Sequence, residues 1–155
     1  MTTFVCVHVL LSLIGILTGL VAMPALLGSK WAPAWTSIFL TTTILTSVTG
    51  FFLPAKILMP SHIVGIISLV LLAVALFALY SKRLSGAWRW IYVVTAMLSL
   101  YLNVFVLIIQ GFMKVAPLKA LAPTQSEPPF LIVQGVVLVI FALMTALAAR
   151  RFHPH

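Results

Sequence analysis

Six side chains join a polar group to an otherwise apolar helical surrounding: His8, Thr49, His62, Asn103, Gln110 and Gln134. Two are imidazoles, three are carboxamides and one is a hydroxyl. A neutral imidazole offers one donor and one acceptor, and a carboxamide offers both kinds. Such a set suits a pocket for a small neutral or weakly charged solute. It also suits a redox site, with His8 and His62 as axial ligands of a b-type haem or the same cluster touching a quinone, because imidazole is an established axial ligand type. The plain alternative is that these groups hydrogen-bond helix to helix, which is their ordinary use in lipid. A copper site built from Met59, His62, Cys6, His8 and Met113 has the right soft ligands for Cu(I) but no recognisable spacing.

Other chemistries are excluded by what is missing. Glu127 is the only acid in the chain. Paired-carboxylate hydrolysis, carboxylate proton relays and hard-cation sites all need more. No GxSxG, P-loop, HExxH or GxGxxG pattern occurs, so the expectation is a non-enzymatic protein. Cys6 is the only cysteine and cannot form an internal disulfide.

The elements that must position these residues are apolar. The chain is 63% hydrophobic and 6% charged, against about 25% charged in ordinary soluble domains. The solvent is therefore lipid. Five segments reach spanning length: 4–27, 36–53, 62–80, 90–113 and 130–149, each near the roughly 20 residues a bilayer requires. The first lacks the basic start of a signal peptide and exceeds the usual apolar run, so it reads as a retained helix. The expectation is an all-α, polytopic bundle of five transmembrane helices in a single domain, 1–155.

Helical periodicity then assigns faces. Tyr92, Ala96, Ser99, Asn103, Val106 and Gln110 share one face of the fourth segment, and polar groups in lipid turn inward. His8, Ser12, Gly15, Gly19 and Ala22 share a face of the first, where Gly15 and Gly19 form a GxxxG packing pair. In the second, Thr42, Thr46 and Thr49 form one stripe and Thr43, Ser47 and Gly50 the next. Hydroxyls there can bond back to their own helix. Pro24 is placed to kink or loosen the end of the first helix. Ser61 and Ser126 are candidate N-caps, and Glu127 suits the positive end of the last helix.

Nine Lys and Arg stand singly or in pairs beside the apolar segments. They suit anionic lipid headgroups rather than nucleic acid, since no basic stripe with interleaved aromatics is present. With five spans, Lys30, Lys82, Arg83, Arg89, Arg150 and Arg151 fall on one side and Lys56, Lys114 and Lys119 on the other. The positive-inside rule then puts the carboxyl terminus in the cytoplasm and the amino terminus outside. At about 1.5 Å per residue, His8, Thr49, His62, Gln110 and Gln134 come within about two turns of the outer surface, with Asn103 deeper. The polar groups should open outward as one pocket. Segment 114–129 reads as a proline-rich loop. The ending RRFHPH reads as a flexible basic tail at anionic lipid, with His153 and His155 as weak metal ligands at most.

The stretch LYLNVFVLIIQGF followed by LAPTQSEPPF, in so compact an apolar chain, resembles small uncharacterised bacterial inner-membrane proteins. That resemblance implies an inner-membrane location and no particular activity; the role as a small subunit, with a membrane-protein partner or a second copy, follows instead from reading the polar groups as links between helices. The resemblance carries over no catalytic or binding residue.

Overall fold

The computed structural model describes residues 3–25, 33–50, 60–123 and 127–152. All the regular structure in them is helical: α1 Thr3–Ala25, α2 Pro33–Gly50, α3 Pro60–Leu76, α4 Trp88–Lys114, α5 Ala116–Leu121 and α6 Pro128–Arg151. Helix α3 continues into a wider π-helical turn, Phe77–Ser81. With no water in a bilayer core, a backbone can satisfy its N–H and C=O groups only within helices or a closed barrel.

Among the described residues four helices are long and apolar enough to cross a membrane: Cys6–Ala25, Ile63–Ser81, Trp88–Ile109 and Pro128–Arg151. The fifth expected span is corrected in part. Its segment is helical as α2, but Thr36, Ser37, Thr41, Thr42, Thr43, Thr46, Ser47 and Thr49 all carry hydroxyls. That content leaves α2 less lipid-like than the other four. Residues 51–53 of the expected span lie outside the described residues.

Helix α4 is the hub. It packs against α1, α3, α5 and α6 and touches α2. Four of the six residues expected to point inward do so: Tyr92, Ala96 and Ser99 are fully buried and Asn103 nearly so, whereas Val106 is part-exposed and the side chain of Gln110 lies outside the described residues. The main core joins Met23, Phe39, Leu72, Tyr92, Met97 and Leu100 across four helices. Its lipid-facing counterpart is apolar as well: Leu17, Val70, Val139 and Leu143 are exposed.

Helices α1 and α2 run antiparallel in close contact. A Cβ placed on Gly19 would lie 2.7 Å from Leu100 Cδ1 and 2.8 Å from Phe39 Cδ1. The missing side chain is what lets α2 and α4 approach α1 together. One turn back, a Cβ on Gly15 would meet the hydroxyls of Thr43 at 3.1 Å and Thr42 at 3.2 Å.

Several expectations are corrected. The 114–129 loop contains α5, which starts after Val115 breaks α4 with extended backbone (φ −87°, ψ 117°). A second small core forms there from Phe112, Ala122 and Phe130, with the rings of Phe112 and Phe130 edge to face at 5.3 Å. Ser61 falls inside α3 rather than ahead of it. Ser126 lies outside the described residues, and Glu127 holds the N-cap position of α6 without a side-chain cap bond. Pro24 does fall where expected, in the last turn of α1, which ends at Ala25. The basic tail is not free at its start: α6 extends through Arg151, and Phe152 is fully buried in the main core. His153 and His155 lie outside the described residues.

Candidate functional site

Helix α1 presents His8 to α2, where its Nδ1 lies 2.8 Å from Thr49 Oγ1. The Thr49 hydroxyl also reaches its own helix, 2.7 Å from the Leu45 carbonyl. A hydroxyl has one proton to donate. Given to Leu45, it leaves Thr49 as acceptor and His8 Nδ1–H as donor. His8 Nε2 then keeps its lone pair, ready to accept a hydrogen bond or ligate a metal.

Gln134 forms the second inter-helix link. Buried on α6, it donates from Nε2 to the Phe105 carbonyl of α4 at 3.3 Å. Nearby, Tyr101 and Phe141 pack with ring centroids 5.6 Å apart. Asn103 precedes Phe105 by two residues, about 3 Å along the α4 axis. The His8–Thr49 link belongs to the α1/α2 junction and the Gln134–Phe105 link to the α4/α6 junction. The side chains of His62 and Gln110 lie outside the described residues, as do Met59 and the side chain of Met113. Cys6 is exposed as a free thiol, and among the described residues no cluster of three or more His, Cys, Asp or Glu could hold a metal ion.

Six further hydroxyls are satisfied within their own helices. Thr18, Thr42, Thr46, Thr95, Ser99 and Thr145 each donate to the carbonyl four residues earlier at 2.6–3.0 Å. Thr43 differs. Its fully buried Oγ1 finds no partner among the described residues, and neither does Asn103 Nδ2 nor Gln134 Oε1. An unpaired buried polar group costs about 1–3 kcal/mol. Thr43 sits against Gly15, and Asn103 lies one turn along α4 from Leu100, the residue that meets Gly19. At separate positions in the bundle these residues leave one amide donor, one amide oxygen and one hydroxyl, none with formal charge. They can bind by hydrogen bonding; they include no nucleophile–base pair.

Thr43 was visible in the sequence only as a member of a hydroxyl stripe. The Phe105 carbonyl could not have been found from side-chain types at all. Arg89 is a third residue that sequence reasoning missed. Its Nη1 donates to the Ala149 carbonyl at 2.5 Å and the Phe152 carbonyl at 2.6 Å. A signal existed: a cation at the start of a helix opposes that helix's own dipole, whereas the last turn of another helix welcomes it.

No protein-family model matches the chain. No curated protein and no solved structure matches it either.

Proposed function

We propose that this chain is an integral membrane protein that holds a small neutral or weakly charged solute by hydrogen bonds within its helix bundle, as a binding or transport unit. The observation that carries the reading is the trio Thr43 Oγ1, Asn103 Nδ2 and Gln134 Oε1, deeply buried without partners among the described residues. Gln134 pairs its Nε2 across helices yet leaves its Oε1 open, and Asn103 leaves its Nδ2 open. The surrounding spans carry no carboxylate, so the preferred solute is uncharged. In this reading α2 is a fifth membrane crossing, shielded by α1 despite its hydroxyls. The amino terminus is outside, the carboxyl terminus is cytoplasmic and the polar groups open outward.

The test is uptake of acetamide and glycerol into proteoliposomes, followed by light scattering, together with thermal shifts of the detergent-purified protein by the same solutes. Flux or stabilisation that disappears in Asn103→Leu supports the reading. Rates equal to empty liposomes, with no shift from either solute, would refute it and leave helix packing as the role of these groups.

A second reading, a b-type haem or quinone site through His8 and His62, draws on the His8 hydrogen bond. Histidines that ligate metals commonly donate their other ring N–H to a neighbouring acceptor, and Thr49 supplies one on the Nδ1 side. A reduced-minus-oxidised visible spectrum of protein purified from cells grown with added haem precursor separates the two readings.

A further inference from the structure

We propose that the end of the bundle built from the Ser81–Arg89 turn and the last turn of α6 binds the headgroup of an anionic phospholipid. Contacts distant in sequence assemble this end. Arg89, at the start of α4, bonds the Ala149 and Phe152 carbonyls and so fixes Arg150 and Arg151 beside it. Lys82 Nζ stands over the rings of Phe77 at 5.5 Å and Trp88 at 5.9 Å. Trp88, Leu84 and Ala149 pack against the core cluster that contains Phe152. Lys82, Arg83, Arg89, Arg150 and Arg151 thus lie at one end of the bundle. The chain's only acid, Glu127, caps the far end of the 24-residue α6, about 36 Å away by helical rise.

Charge and surface together select the ligand. Among the described residues no acid lies at this end, so its cations repel one another, and an anion relieves that repulsion. The carbonyls that end α6 would oppose an incoming phosphate, but the Arg89 guanidinium already covers two of them. Lys82, Arg83 and Arg150 are exposed. The adjoining surface is aromatic and apolar: Phe77, Tyr80 and Trp90 are all about half exposed. Such rings favour the headgroup level of a bilayer. A ligand with a phosphate and acyl chains matches both parts of this surface, whereas free phosphate matches only one.

The experiment titrates full-length protein in detergent micelles with phosphatidylglycerol or phosphatidylcholine and reads bound lipid by native mass spectrometry. Juxtamembrane cations contribute about fivefold each to binding of anionic lipid. The pair Arg83→Gln with Arg150→Gln should therefore weaken phosphatidylglycerol binding roughly 25-fold and leave phosphatidylcholine unchanged. Arg150→Gln alone should give about fivefold, which keeps the test valid if the pair folds poorly. Lys119→Gln, on α5 at the other end of α4, should have no effect. Equal binding of the two lipids, unchanged binding in the variants, or equal loss in Lys119→Gln would overturn the proposal. So would displacement of the lipid by equimolar inorganic phosphate, which would make this a free-anion site.

Discussion

His8 on α1 and Thr49 on α2 are joined side chain to side chain at 2.8 Å, across 41 residues of sequence. With the Thr49 proton committed to Leu45, the bond defines which imidazole nitrogen keeps its lone pair. Thr49→Val should lower the detergent melting temperature as much as His8→Ala does. The two changes together should be less than additive, by the worth of one hydrogen bond, about 0.5–1.5 kcal/mol. Strict additivity in chemical or thermal unfolding would show that the contact contributes nothing. Under the redox reading, His8→Ala should also abolish a reduced b-type absorbance band. If no band is present in the wild type, the haem reading fails.

The contact of Gly19 with Phe39 and Leu100 leaves no room for a side chain. Gly19→Leu should destabilise by more than the 1–3 kcal/mol typical of overpacking, because two helices must move. Leu20→Ala, at an exposed position, should change the melting temperature little. Comparable losses in both would remove the α1 glycine face from the packing account.

Asn103 separates binding from glue. Its Nδ2 is buried without a described partner, and exchanging an unpaired polar group for an apolar one of similar size is neutral or stabilising. Asn103→Leu should therefore hold or raise the melting temperature while reducing solute binding. A fall of several degrees with solute binding intact would mean that the amide serves packing.

Arg89 and Arg150 sit at the same end with different duties. Arg89→Gln removes two charge-assisted bonds to the end of α6 and should cost about 2–3 kcal/mol. Arg150→Gln, on an exposed side chain, should leave unfolding unchanged. Hydrogen exchange at the amides of residues 146–152 would localise the loss. Uniform exchange behaviour in Arg89→Gln would argue against its tie to α6.

The excess of cations on one side motivates a cytoplasmic carboxyl terminus. Alkaline phosphatase fused after His155 should be inactive, and the same enzyme inserted between α5 and α6 should be active. The reverse pattern would move the polar groups to the cytoplasmic half.

Composition and periodicity alone determined that the chain is helical and apolar and which helix faces turn inward. The burial of Tyr92, Ala96, Ser99 and Asn103 along one side of α4 follows from a 3.6-residue repeat and the cost of polar groups in lipid, both local properties. The Gly15 and Gly19 contact was legible for the same reason. Local properties do not say who the partner is. That Gln134 meets a backbone carbonyl, that Thr43 fits against Gly15 and stays unpaired, and that Arg89 serves a helix 60 residues away depend on how helices cross and in what register. Phe152 shows the difference most clearly: its neighbours mark it as part of a charged tail, and only the packing of α6 against α4 provides the apolar place that takes it in.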